Sequence, residues 1–214
     1  MNITVFGANG HIGRRFINFA LQNGDVVKAV VRRDGALDIT HPNLETIVVD
    51  YTDHKQMTNV VAGQAAVVST LGPSLSMSRK VLGLPITNAH EMILRVMEEQ
   101  GIKRLITLAT PTLKSADDKK SALTVIPSIM AKVLFPTGYA EMKAIETLIH
   151  KSKVDWTVVR IINPNVKTDG NGYAISFGDT PGKTNVSRKN VAACMVDALR
   201  KDEWIGKMPI VYNK

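Results

Sequence analysis

The chain has 214 residues, 44% apolar and 21% charged, with 27 lysines and arginines against 19 aspartates and glutamates, a formal net charge of +8. That composition builds a core, suits one domain and excludes a disordered chain. A single cysteine, Cys194, excludes a disulfide framework and a cysteine-based zinc site.

The elements alternate from the start. Ile3–Phe6 is a short apolar run that ends in glycine, and Ile12–Leu21 follows with helical spacing through Ile12, Phe16, Phe19 and Ala20. Val26–Val31 is a β-branched run, then come turn signals at Asp34-Gly35 and His41-Pro42-Asn43 and a third strand, Thr46–Val49. Asp53 with Gln56 reads as a capping box for a short helix. Ala65–Thr70 is the fourth strand; Thr87–Gln100 is a helix closed by Gly101; Leu105–Leu108 is the fifth strand. Further on, a polar loop at 114–120 precedes an apolar segment, Ala122–Phe135. Then come a helix over Tyr139–His150, a sixth strand over Trp156–Ile161 and a hairpin from Gly170-Asn171-Gly172 through Phe177. Ser187 caps a last helix to Leu199, and Met208–Val211 is the final strand. Strands that are apolar without interruption are buried on both faces. Their alternation with helices predicts a single α/β domain, a doubly wound parallel sheet of the Rossmann type over residues 1–214. Its C-terminal third is expected to fold over the sheet edge, with 111–136 and 162–186 on the substrate side.

Gly7-Ala8-Asn9-Gly10-His11-Ile12-Gly13 lies between the first strand and the first helix. Glycines at this spacing serve a tight turn, an approach to a pyrophosphate and close helix packing, with the phosphates on the N–H groups of the helix N-terminus. Gly7, Asn9, Gly10, His11, Ile12 and Gly13 are therefore candidate cofactor contacts; His11 reads equally as a phosphate contact or a cap. Arg32 stands 19 residues beyond Gly13, with Arg33 beside it, where an NAD site places an acid for the ribose 2′-hydroxyl. Guanidinium groups there suit the 2′-phosphate of NADP, so NADPH is expected over NADH. Asp50 and Tyr51 end the third strand, towards the adenine. Ser69, Thr70, Leu71 and Gly72 end the fourth, against the riboses.

With these marks the chain resembles the atypical or extended short-chain dehydrogenases/reductases, in the NAD(P)H-binding group that includes NmrA-like proteins and biliverdin/flavin reductases. Gly101-Ile-Lys-Arg-Leu-Ile-Thr107 and Val154-Asp-Trp-Thr-Val-Val-Arg160 followed by Pro164 carry the resemblance beyond the glycine loop. The dehydrogenase branch uses a serine or threonine, a tyrosine and a lysine four residues later. The resemblance thus implies catalytic roles for Thr110, Tyr139 and Lys143. On a helix, positions 139 and 143 share a face, so an ammonium can favour the phenolate of a tyrosine whose free pKa is near ~10. A second Tyr-x-x-x-Lys, Tyr51 to Lys55, follows the third strand, far from the expected hydride chemistry.

The expected activity is NADPH-dependent oxidation or reduction of a small molecule. The alternatives are a flavin or quinone reductase without a catalytic tyrosine, or a non-catalytic NADP-binding sensor of the NmrA-like kind. The five histidines show no ligand spacing, so no metal is expected. Basic residues are scattered, with runs no longer than pairs, and aromatics are 5%, which disfavours nucleic acid as a partner. The opening residues lack a signal-peptide pattern and no run reaches the ~18 apolar residues that span a bilayer, so a cytoplasmic location without a membrane partner is expected.

Overall fold

The computed structural model describes residues 1–72, 83–119, 129–130, 132–179 and 182–214. The chain runs β1 (Asn2–Phe6), α1 (His11–Gln22), β2 (Val26–Val31), β3 (Leu44–Val48), α2 (His54–Val61), β4 (Ala66–Ser69), α3 (Pro85–Glu99), β5 (Arg104–Ala109) and α4 (Pro136–Lys151). It continues through β6 (Asp155–Arg160), β7 (Asn163–Val166), β8 (Tyr173–Ser176), β9 (Asn185–Ser187), α5 (Arg188–Ala198) and β10 (Ile210–Asn213).

Adjacent apolar pairs on the central strands produce the layers. Val5 and Phe6, Val67 and Val68, Leu105 and Ile106, Val158 and Val159 are all fully buried. In extended chain, neighbours point to opposite faces, so each pair needs cover on both sides. Val5, Val68, Ile106 and Val159 pack with Phe16, Ile17 and Ala20 of α1 and with Val191, Met195 and Ala198 of α5. Phe6, Val67 and Leu105 pack with Met57 of α2 and with Ile93 and Met97 of α3. Val158 joins Met142, Ile145 and Ile149 of α4. Each such aliphatic or aromatic side chain contributes about 1.5–3 kcal/mol by burial.

The sheet order is β3-β2-β1-β4-β5-β6-β10-β8. The pairs from β3 to β10 are parallel, and β8 closes the edge antiparallel to β10. This is the doubly wound Rossmann arrangement expected. From β1 the chain builds outwards to β3 on one side and, from β4, to the other. The carboxyl ends of β1 and β4 therefore border the crevice where such sheets hold ligands.

The C-terminal third corrects the sequence reading. Gly170–Phe177 forms no local hairpin: Tyr173–Ser176 pairs with Ile210–Asn213, which arrives only after α5. Rather than folding over the edge, β10 and β8 extend it, while β7 and β9 form a separate two-stranded parallel sheet. Of the apolar segment 122–135, residues 129–130 and 132–134 are helical, and 122–128 and 131 lie outside the described residues. Among the described residues no helix is long and apolar enough to cross a membrane.

One buried ion pair fixes the β5–β6 end. Arg160 is fully buried at the end of β6, and its Nη1 and Nη2 donate to the two carboxylate oxygens of Asp118 at 2.6 and 2.7 Å. Its Nε donates to the Met208 carbonyl at 2.9 Å. The loop after β5 is thereby held to both β6 and the segment leading into β10.

Candidate functional site

A cleft of about 880 Å³ opens at the carboxyl ends of β1, β2 and β4. Its floor is the glycine loop. Gly7 has φ of +77°, which an L side chain rarely adopts, and a Cβ there would stand 2.7 Å from Thr70 Oγ1. A Cβ on Gly13 would stand 2.4 Å from the Gly7 carbonyl oxygen, so only glycine lets α1 approach the loop. The Thr70 hydroxyl straps β4 to the same loop by donating to Gly7 O at 2.9 Å.

Gly10 is the N-cap of α1. No side chain among the described residues caps this end, and the first turn holds no acid. Gly10 N donates to Gly7 O at 2.9 Å and the first intrahelical bond runs from Arg14 N to Gly10 O, so the N–H groups of His11, Ile12 and Gly13 have no acceptor within the helix and carry the positive end of its dipole behind Gly10, which lines the cleft. This donor set fits a dinucleotide pyrophosphate. Arg14, which the sequence did not flag, arranges the loop. Its Nε and Nη2 donate to Asn9 Oδ1 at 3.0 and 2.6 Å, and its Nη2 also reaches the Ala36 carbonyl at 2.9 Å. An ion pair with Asp38 holds that carboxyl below its usual range.

Arg32 and Arg33 are exposed on the cleft's rim. Asp34, which follows Arg33 in the chain, accepts from Gly35 N at 2.9 Å and does not line the cleft. Tyr51 lines it, with its ring edge-on to Phe6 at 5.7 Å. Burial pushes the Tyr51 phenol up, opposed by the Gly7 backbone and by Arg32. Of the other candidate cofactor contacts, Asn9, Gly10, Leu71 and Gly72 line the cleft with Gly7 and Thr70, whereas His11, Ile12, Gly13, Asp50 and Ser69 do not. Asp50 accepts from the N–H and hydroxyl of Thr52, which hold its carboxyl low.

The far wall is α3, and two buried polar groups that the sequence reading missed secure it. Glu141 of α4 is 2% exposed, and its carboxylate accepts from Ile86 N at 3.0 Å and Thr87 N at 2.7 Å, as well as from the Thr87 hydroxyl. It thus caps α3 from another helix. Its register with Met142, Ile145 and Ile149 on the buried face of α4 was the available signal. His90 is 1% exposed. Its Nδ1 meets the Ile86 carbonyl at 2.8 Å and must donate there. Nε2 then turns its single lone pair to the Ser69 and Thr107 hydroxyls, each 3.1 Å away. Burial holds this imidazole's pKa below the ordinary value, against the Ile86 carbonyl and Glu141. Ser69 is therefore part of the seam beneath the cleft.

Thr110 follows β5, and its Oγ1 is buried with no hydrogen-bond partner among the described residues. Tyr139 and Lys143 lie one turn apart on α4, both half-buried, and the Lys143 ammonium pairs with Glu146. None of the three lines the described cleft.

The sequence matches an NAD(P)H-binding family over residues 7–202, and the chain belongs to that family. A short-chain dehydrogenase/reductase from Veillonella parvula in complex with NADP has the same fold, with a TM-score of 0.77 and 16% identity over 99% of this chain and 94% of that one. So does ChuY, an anaerobillin reductase from Escherichia coli O157:H7, with a TM-score of 0.77 and 19% identity over 100% and 97%. The oxidoreductase ylbE of Lactococcus lactis gives 0.76 and 16% over 100% and 91%. No protein of curated function matches the sequence.

Proposed function

We propose that this member of the NAD(P)H-binding family is an NADPH-dependent oxidoreductase acting on a small molecule, with the dinucleotide lying across the strand ends from Arg32 towards Thr110. The observation that carries the reading is the uncapped N-terminus of α1, opening into a cleft that also receives Arg32 and Arg33. The named activities of the Veillonella parvula and Lactococcus lactis proteins support oxidoreduction as the chemistry.

Bound NADPH supplies a hydride. The chain's part is to handle the accompanying proton. Tyr139 donates its phenolic proton to the substrate oxygen, and Lys143, one turn on, lowers the cost of the phenolate with its positive charge. Thr110 Oγ1 donates a hydrogen bond to the same oxygen. A buried hydroxyl left without a partner costs about 1–3 kcal/mol, which a substrate oxygen would recover. Residues 111–136 and 162–186 wall the substrate side in this reading.

One observation favours a second reading. Lys143 already pairs with Glu146, and Thr110, Tyr139 and Lys143 stand outside the described cleft. A flavin or quinone acceptor would take hydride without a tyrosine. NADPH oxidation by the native protein and by Tyr139→Phe, over a panel of carbonyls, flavins and quinones, separates the two. The tyrosine mechanism expects kcat on a carbonyl to fall by ~10²–10⁴ with NADPH affinity intact. An unchanged kcat on every active acceptor sinks it in favour of the second reading.

A further inference from the structure

Helix α3 brings to the cleft a cation that the proposed function leaves unused. Arg95 lines the same cleft as Arg32 and Arg33, but from α3 rather than from the end of β2. Two contacts place it along the cleft's length. Arg95 Nε donates to Glu99 Oε1 at 2.9 Å, and Glu99 Oε2 meets His54 Nε2 at 2.7 Å. His54 opens α2 just after Tyr51 and Thr52, which line the cleft beyond the outermost strand, β3. Arg95 is thus tied to the β2–β3 end, where Arg32 and Arg33 stand, and not to the Thr110 end.

Its chemistry suits an anion. With Nε held by Glu99, the plane of the guanidinium is set, while Nη1 and Nη2 have no partner among the described residues. The side chain is 63% exposed, free to reach a ligand. Among the described lining residues, Glu91 is the only acid against Arg32, Arg33 and Arg95. A ribose 2′-phosphate carries up to two negative charges and accepts bonds in several directions, so cations from one wall leave part of it to solvent.

We propose that Arg95 is a specificity-determining residue, the second jaw of a clamp that closes on the 2′-phosphate opposite Arg32 and Arg33. The proposal rests on the NADPH reading above. It assigns to α3 a part in choosing between phosphorylated and unphosphorylated dinucleotides, and Glu99 is the residue that orients the jaw.

Calorimetric titration with adenosine 2′,5′-bisphosphate and with adenosine 5′-monophosphate tests it, because the two differ only in the 2′-phosphate. In the native protein the bisphosphate is expected to bind more tightly. Arg95→Ala should weaken the bisphosphate about tenfold, as for a lost charged hydrogen bond, and the monophosphate less than twofold. Arg95→Lys should restore part of the difference by keeping the charge without the fork. Arg32→Ala is the comparator. If it narrows the gap between the two probes while Arg95→Ala does not, the clamp is overturned and the NADPH reading stands. If Arg95→Ala weakens both probes equally, Arg95 shapes the cleft without reading the phosphate, and the proposal also fails. If the native protein binds the two probes equally, both the NADPH reading and the clamp fall.

Discussion

Helices α1 and α3 both bring their N-terminal ends to the cleft, and each has N–H groups that its own turns cannot satisfy. The two ends are finished differently. At α3 a carboxylate from a third helix, Glu141, accepts from Ile86 N and Thr87 N and is itself almost fully buried. At α1 no side chain among the described residues serves, the first turn carries no acid, and the N-cap is a glycine. Elsewhere Asp53 caps α2 and Ser187 caps α5. Helix α4, which opens on Pro136 away from the cleft, also lacks a side-chain cap at Phe135, so it is the place of the open α1 end at the cleft, and not its openness alone, that suits it to a ligand. The sealed end is a structural joint and the open end is the binding surface of the proposed function, so damage to each should show in a different measurement.

The largest effect is expected at the sealed end. Glu141→Ala leaves the two N–H groups and the Thr87 hydroxyl without their acceptor in a dry place. The loss should be about 2–4 kcal/mol of unfolding free energy, since buried donors forfeit their full solvation when a partner is removed. Glu141→Gln keeps an acceptor oxygen and should lose less. Urea melts of the three proteins decide it, and a loss under ~0.5 kcal/mol for the alanine variant would mean that the cap is ornamental.

The next effect belongs to the open end. Gly10 has φ −67° and ψ 158°, a conformation that valine adopts readily, and a Cβ there meets only the Gly7 carbonyl oxygen at 3.2 Å. Gly10→Val should therefore leave stability within ~1 kcal/mol while filling the phosphate cradle. NADPH affinity should fall at least ~100-fold, equivalent to about 2.8 kcal/mol. Gly13→Ala is the contrast, because its Cβ would stand 2.4 Å from a backbone oxygen and should damage folding and binding together. Normal NADPH binding by Gly10→Val would remove the loop from the site.

The two ends also differed in how plainly the sequence announced them. Everything that makes α1's end open lies within Gly7–Gly13, so spacing alone revealed it. The capping box of Asp53 and Gln56 was local too, and the bond from Gln56 N to Asp53 Oδ1 at 3.0 Å is as read. Glu141 acts on partners 54 and 55 residues away, and no local pattern names such a partner. His90 is similar: it joins β4 to β5 through hydroxyls 21 and 17 positions distant. The Gly170–Gly172 turn suggested a hairpin because turn chemistry is local, whereas strand pairing is not. Tyr173 found its partner at Asn213 once α5 had brought the chain back to the sheet. Arg32 and Arg33 were legible as the first basic residues past β2, but Arg95 joined them only when α3 was laid along the cleft.

The smallest effect sharpens the comparison through pH. His90 sits one turn into the sealed helix and is held neutral by burial, so its pKa in the folded protein lies below the ordinary value near 6.5. A group whose folded pKa is depressed binds fewer protons folded than unfolded, and as pH falls below 6.5 the unfolded chain takes up the extra proton. Stability contributed by neutral His90 is therefore complete above that pH and is lost on acidification. Urea melts of the native protein and of His90→Gln at about pH 6.5 and about pH 5.5 isolate the buried group. The native protein should lose more stability across that interval than the glutamine variant, whose side chain offers the same hydroxyls an acceptor without titrating. Equal losses would mean that His90 takes up its proton inside the fold, and that the seam beneath the cleft tolerates a charge that its burial among Ser69, Thr107 and Ile86 should exclude.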